Sequence, residues 1–170
     1  HESDPKTPLL KEGEELCVGC HLDMPDVLKK KNVHPALAAG CTACHNPHGS
    51  AFPKMLAAEG EQICFQCHSD IGEIVAKAPV GHPAVQMGCP TCHSPHASDN
   101  EKLLLHEVKE TCVGCHTDIV TKNMTVFHGP NNDGKCTRCH NPHGSQYEKL
   151  LVKEFPSGAY VPYTDTAFPL

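Results

Sequence analysis

The stretch Cys41-Thr42-Ala43-Cys44-His45-Asn46-Pro47-His48-Gly49-Ser50 decides the fold of this chain. Its first five residues form the pattern Cys-x-x-Cys-His, in which an imidazole directly follows two thiols that lie three residues apart. Two such thiols can add to the two vinyl groups of one haem, and the imidazole can then ligate the iron. The stretch therefore predicts a covalently attached haem of the c type.

The same pattern recurs until every cysteine of the chain is used. The 170 residues contain 12 Cys and 14 His, and the cysteines form six motifs with none left over. A structural zinc site does not need a histidine directly behind each cysteine pair, and a disulfide framework gives no reason for six of them. We therefore predict six covalent haem c groups. The thioether cysteines and proximal iron ligands of motifs 1 to 6 are Cys17, Cys20 and His21; Cys41, Cys44 and His45; Cys64, Cys67 and His68; Cys89, Cys92 and His93; Cys112, Cys115 and His116; and Cys136, Cys139 and His140.

The motifs form a threefold repeat with a period of 47 to 48 residues. Each repeat contains two motifs, separated by a linker with a single histidine, and the second motif continues into an ending of the form His-x-Pro-His-Gly/Ala-Ser. A leucine-containing leader precedes the first motif of each repeat and recurs at residues 150–154 with no cysteine behind it, which suggests an array truncated or converted after its third unit. We predict one domain over residues 1–170, with repeats 1 to 3 at 9–50, 56–97 and 103–145 and an aromatic C-terminal tail at 146–170.

Eight histidines remain after the proximal ligands are assigned, and six of them recur once per linker and once per ending. A second imidazole completes the coordination of a haem iron, so we predict these six as distal ligands. His48 is too close to His45 to reach the far face of the same haem, so we assign it to motif 1 of its own repeat, and His34 to motif 2. The same crossing inside the other repeats completes the set of distal ligands: His34, His48, His82, His96, His128 and His143. His1 and His106 do not recur, and we expect a chain terminus and a surface residue there.

Composition points to a core that side chains do not supply. Leu, Ile, Val and Phe make up about a fifth of the chain and Trp is absent, which is close to the limit below which chains stay disordered. The predicted fold class is therefore mostly irregular with short α-helices around a core organised by haem. We expect helices at residues 12–21, 25–31, 71–78, 107–116 and 118–122, loops at 32–41, 79–89 and 125–136, and no strand before the tail.

Charge argues against a nucleic-acid partner, and hydropathy argues against a transmembrane helix. The net charge is −6 and Arg138 is the single arginine, so the chain has no basic stripe for nucleic acid. No apolar stretch is long enough for a transmembrane helix, and the displayed chain carries no signal peptide.

The repeat resembles the doubled CxxCH module of bacterial and archaeal multihaem c-type cytochromes. The paired motifs and the Cys-His-x-Pro-His-Gly-Ser ending carry the resemblance, which covers residues 9–145. That family includes periplasmic electron carriers, periplasmic subunits of outer-membrane electron conduits, and extracellular cytochrome filaments. The resemblance implies export to the periplasm or the cell exterior, because c-type haem is attached outside the cytoplasmic membrane.

Two histidines on every iron leave no position for a substrate, so we expect electron transfer and not catalysis. The expected partners are other redox proteins, further cytochrome subunits, or copies of the chain in a homo-oligomer. Two alternatives stay open at this point. The first alternative is that the chain forms the protomer of an extracellular conductive filament. The second is that it is a multihaem reductase with one open haem.

Overall fold

The computed structural model describes residues 9, 11, 13–119 and 133–153. These residues form mostly irregular backbone with short helices and very short strands, as predicted. Several predicted features lie outside the described residues: His1, the distal ligand His128, the end of the helix expected at 118–122, most of the loop at 125–136, and the tail from residue 154 onward.

Five α-helices occur among the described residues, and the longest has 9 residues. Four of them fall within or overlap the predicted helices, whereas the short helix before motif 3 was not expected. That helix has only 4 residues, too few for a helical period to show in the sequence. The helices are α1 (Glu14–Val18), α2 (Met24–Val27), α3 (Gln62–Phe65), α4 (Ser69–Lys77) and α5 (Val108–Val113).

Helix α4 shows how local sequence sets these elements. It begins directly after the proximal histidine of motif 3, with Asp70 in its first turn and Lys77 in its last turn, where both charges favour the helix dipole. Ile71, Ile74 and Val75 are partly buried, at the spacing of one helix face. The helix stops before Pro79, since proline disfavours helical backbone at the preceding residue.

Four two-residue strands connect the repeats. They are β1 (Asn32–Val33), β2 (Val80–Gly81), β3 (Ala97–Ser98) and β4 (Gly144–Ser145). Strand β1 pairs antiparallel with β3, and β2 pairs antiparallel with β4. The prediction of no strand before the tail was wrong here, because two residues are too few to show the alternation by which strands are recognised. Each pair joins the linker of one repeat to the ending of the next.

The contacts of the chain group into two compact units. The first comprises His1–Gln66 and His93–Leu105, and the second comprises Cys67–Cys92 and His106–Leu170. Repeat 2 is divided between them, because its ending belongs to the first unit and its linker to the second. A compact unit of this chain is therefore not the same thing as a sequence repeat.

The described polypeptide encloses almost no apolar core of its own. Ala97 is its one buried hydrophobic residue, and none of its large side chains is fully buried. Large apolar side chains such as Leu22 and Met87 are 77% and 72% exposed. No helix among the described residues has the length and apolar character needed to cross a membrane.

Candidate functional site

Four of the Cys-x-x-Cys-His motifs show the same helical turn. In each of them the backbone N–H of the histidine donates to the carbonyl of the first cysteine. Residues four apart on a helical turn lie on one face, so the first thiol and the imidazole are presented on the same side. The N···O distances are 3.0 Å for His21 to Cys17, 3.0 Å for His45 to Cys41, 3.0 Å for His116 to Cys112 and 3.1 Å for His140 to Cys136.

The thiols are available for covalent attachment. All twelve cysteines are free of disulfide bonds. Among the described residues, no three or more His, Cys, Asp or Glu side chains are grouped so that they could hold a metal ion between them. Free thiols in pairs, with an imidazole directly behind each pair, are the residues that a covalently attached haem would use.

The first thiols of motifs 1 and 2 lie close together, as do those of motifs 5 and 6. Burial raises the pKa of Cys112 to about 11, and the adjacent Cys136 thiol contributes by charge repulsion and a hydrogen bond. Burial likewise raises the pKa of Cys41, with Cys17 as the neighbour that contributes next. Motif 1 is therefore close to motif 2, and motif 5 to motif 6, at the sulfur atoms that would carry the haems.

The proximal histidines of motifs 2, 4 and 6 are held in one tautomer. In each, ring atom Nδ1 lies within hydrogen-bond distance of a backbone carbonyl nine residues further on. A carbonyl can only accept, so Nδ1 carries the proton and Nε2 keeps its lone pair for a metal. The residues present therefore fit a haem iron at these positions. The Nδ1···O distances are 2.9 Å for His45 to Lys54, 2.9 Å for His93 to Lys102 and 2.7 Å for His140 to Lys149.

The accepting carbonyls belong to a repeated left-handed turn, which we call the closing turn: Pro53–Met55, Glu101–Leu103 and Glu148–Leu150. Its last two residues have φ between 54° and 58° in all three copies, although none is glycine. Left-handed backbone costs such residues about 1–2 kcal/mol each. Backbone hydrogen bonds from the residue after each proximal histidine offset part of that cost, namely Asn46 to Met55 at 2.7 Å, Ser94 to Leu103 at 2.7 Å and Asn141 to Leu150 at 2.8 Å.

The serine of each ending locks the closing turn in place. Its hydroxyl donates to the carbonyl of the leucine that follows the turn and accepts the backbone N–H two residues after the serine. Ser98 and Ser145 are buried at 4% and 8% exposure. The three serines, with the leucine and the N–H donor of each, are Ser50 with Leu56 and Phe52, Ser98 with Leu104 and Asn100, and Ser145 with Leu151 and Tyr147.

This arrangement gives the recurring leader a structural role. From the sequence, residues 150–154 suggested the start of a lost or converted fourth unit. In the structure, Leu150 and Leu151 close motif 6 just as the leaders of repeats 2 and 3 close motifs 2 and 4. Sequence reasoning missed the closing turn, although a lysine nine residues after each of these proximal histidines was a visible signal.

Two of the predicted distal ligands lie opposite proximal histidines. The ring centroids of His45 and His96 are 6.1 Å apart, with planes inclined by 31°. Those of His82 and His116 are 6.0 Å apart, with planes inclined by 18°. Metal–imidazole bonds are about 2 Å long, so two imidazoles on opposite sides of one metal place their centroids roughly 6 Å apart.

These ring pairs differ from the crossing predicted within each repeat. That crossing assigned His96 to motif 3 and His82 to motif 4, whereas the rings that face them belong to motifs 2 and 5. The physical reason is the strand pairing. Pairing of β1 with β3 carries the ending of repeat 2 to repeat 1, where the His34 N–H donates to the His96 carbonyl at 2.8 Å.

Three further predicted distal ligands lie among the described residues, and two of them share a backbone setting. His48 and His143 each use their backbone N–H to bond the asparagine side chain two residues earlier, at 3.1 Å in both cases. His48 is exposed and His143 is partly buried. His34 is also partly buried and lies directly after β1.

Burial lowers the pKa of His96, and the neighbouring His45 and His34 lower it further. A lowered pKa keeps the imidazole neutral at pH 7, and the neutral ring is the form that binds a metal. The setting of His96 is thus suited to a ligand.

The model of the doubled CxxCH motif family matches residues 34–73, 82–121 and 128–158. Each match begins at a linker histidine and contains motif 2, 4 or 6 with its closing turn; the first two also reach the following motif. Motif 1 lies before the first match. Comparison with curated protein sequences gives no significant match.

Proposed function

The chain belongs to the doubled CxxCH motif family and is a multihaem c-type cytochrome, and on that premise we propose that it transfers electrons along six haems, each with two histidine ligands. When bound, the haems supply the one-electron chemistry. The protein attaches them through its twelve cysteines, orients the axial imidazoles and sets the spacing between neighbouring porphyrins.

The proximity of thiols from neighbouring motifs is the observation that carries this proposal. Cys17 lies close enough to Cys41 to raise the pKa of Cys41, Cys136 likewise raises that of Cys112, and Cys115 raises that of Cys92. A thioether bond fixes the edge of a porphyrin to its cysteine sulfur. Sulfurs that lie close together therefore place porphyrin edges near one another, as electron hopping requires, between motifs 1 and 2 and between motifs 5 and 6.

Histidine pairs on the irons would set low reduction potentials, because these sites lack the methionine ligand that raises the potential of a haem. They would also leave no open position for a substrate, so we propose a carrier and not an enzyme. A reductase with one open haem is the alternative, and it requires a high-spin iron.

The test combines a haem count with spectroscopy of the purified holoprotein. We expect intact-mass analysis to show six covalent haems, the ferric electron paramagnetic resonance spectrum to be low-spin throughout, and potentiometry to show reversible reduction at low potential. Fewer haems or irreversible reduction would contradict the proposal. A high-spin signal that changes when nitrite or hydroxylamine is added would establish the reductase instead.

We further propose that the chain works in the periplasm or at the cell exterior, with other redox proteins or cytochrome subunits as partners. Its net charge of −6 favours neutral or basic docking surfaces. The alternative of a conductive filament draws support from the strand pairs between repeats, because a repeat that pairs with the next one can in principle continue across a chain boundary. Electron microscopy of the purified protein separates the two: discrete particles support the carrier, and regular fibres support the filament.

A further inference from the structure

We infer that repeat 2 gives both of its distal histidines to its neighbours, so that His96 completes the haem of motif 2 in repeat 1 and His82 completes the haem of motif 5 in repeat 3. This inference rests on the proposed pairs of histidine ligands and adds which histidine serves which iron. It makes each of these two haems a link between consecutive repeats.

The first support is the spacing of the rings. Both pairs have centroid separations of 6.0–6.1 Å, which matches the separation of two imidazoles bound to one metal. Each pair joins one proximal ligand to one predicted distal ligand. Neither pair joins two histidines of the same kind.

The second support is the backbone that carries the rings. His34 follows β1 and His96 precedes β3, and these two strands pair with Val33 opposite Ala97. His82 follows β2 and His143 precedes β4, which pair with Gly81 opposite Gly144. The same device thus occurs in both units, and in each it takes one strand from repeat 2 and the other from a neighbouring repeat.

The third support is the hydrogen bond on the far side of His45. Its Nδ1 is occupied by the Lys54 carbonyl at 2.9 Å. Only Nε2 can then bind iron, so ligation by His45 has one available geometry. Each compact unit contains one of the two ring pairs, and repeat 2 contributes a histidine to both: the ending histidine His96 in the first unit and the linker histidine His82 in the second.

The assignment is tested by asking which haem loses a ligand when His96 is removed. In the purified holoprotein, His96→Ala should convert one haem per chain to high-spin, with the number of covalent haems unchanged. The substitution is then repeated in two backgrounds, Cys41→Ala/Cys44→Ala and Cys64→Ala/Cys67→Ala, which lack the haems of motifs 2 and 3. We expect it to add no high-spin haem in the first background and one in the second.

In the opposite result, His96→Ala adds a high-spin haem in the Cys41→Ala/Cys44→Ala background and none in the Cys64→Ala/Cys67→Ala background. That result would overturn the assignment and show that His96 ligates the haem of motif 3 in its own repeat. His82→Ala is tested in the same way, in one background that lacks the haem of motif 5 and one that lacks the haem of motif 4. We expect it to add a high-spin haem only in the background without the motif 4 haem. His106→Ala is the matched control, because this exposed histidine belongs to neither recurring series, and its spectrum should stay low-spin.

A second measurement avoids the risk that a cysteine variant fails to mature. In the unaltered holoprotein, paramagnetic NMR should show cross-relaxation between the His96 ring and the thioether protons of the haem on Cys41 and Cys44. Contact with the haem of motif 3 would refute the assignment. Both measurements are distinct from the test of the proposed function, which fails only if the wild-type protein lacks six low-spin, reducible haems.

Discussion

A single backbone carbonyl decides what each proximal histidine of motifs 2, 4 and 6 can do. By accepting the Nδ1 proton it fixes the tautomer, orients the ring and makes Nε2 a stronger base. The same carbonyl is available only because two residues that are not glycine adopt left-handed backbone. The cost of the closing turn is therefore tied to the orientation of an axial ligand, which explains why all three copies keep it.

Lys102 is the position at which this link can be tested. Lys102→Val places a β-branched residue at φ 56°, a conformation that such side chains adopt only as outliers. We expect the turn to shift, His93 to lose its acceptor, and the reduction potential of the motif 4 haem to rise because its ligand becomes less basic. Thermal unfolding should show a loss of about 1 kcal/mol or more.

Lys102→Asn is the matched control, because asparagine tolerates left-handed backbone. It removes the same side chain and should leave the potential unchanged. Spectroelectrochemical titration of both variants makes the comparison. Equal potentials in the Val and Asn variants would show that the closing turn does not tune the ligand.

At the scale of elements, the endings do more than follow the motifs. Each ending supplies a serine that locks the closing turn, and the endings of repeats 2 and 3 supply strands that pair with the preceding linker. The Cys-x-x-Cys-His pattern and its period could be predicted from the sequence because covalent chemistry fixes residue type and spacing. Two-residue strands and a left-handed turn could not be predicted, because they depend on partners that lie 63 to 66 positions away or on backbone angles that the residue types disfavour.

Gly144 tests how tightly an ending packs on its neighbours. A Cβ at this position would lie 2.8 Å from the Ala78 Cβ and 3.3 Å from the Ile74 Cγ2, at a φ of +155°. Gly144→Ala should therefore shift β4 away from α4 and destabilise the holoprotein by about 1–3 kcal/mol from crowding, in addition to the cost of its backbone angle. Denaturant unfolding measures the loss.

The corresponding Gly49→Ala provides the control. Gly49 has a φ of +139° but nothing within 4 Å of its added Cβ, so only the conformational cost of about 1 kcal/mol remains. The difference between the two variants isolates the packing against α4. An equal loss in both would mean that β4 does not press against this helix.

For the whole molecule, the sequence repeat and the compact unit are different divisions of the same chain. The threefold period is visible in the sequence because the motifs are local. The division of repeat 2 between two units was not visible, since it follows from strand pairs and ring pairs between residues far apart in the sequence. The crossing predicted inside each repeat differed from the ring pairs for this reason: it assumed that nearness along the chain decides which histidine reaches which haem.

The most general prediction concerns the chain without haem. The described residues bury one hydrophobic side chain, Ala97, and the linkers and endings meet through strands of only two residues. Such contacts cannot offset the entropy of ordering the backbone, so the porphyrins must supply most of the buried apolar surface. A variant with serine at all twelve motif cysteines should therefore remain unfolded.

Circular dichroism and small-angle X-ray scattering provide the measurement, with the six-haem protein as the control. A folded chain of 170 residues has a radius of gyration of roughly 15 Å and an unfolded one of roughly 44 Å. We expect the serine variant to approach the larger value, with little helix and no cooperative thermal transition. A compact, cooperatively unfolding serine variant would show that the polypeptide specifies its fold alone, and the account of a core built from haem would then be wrong.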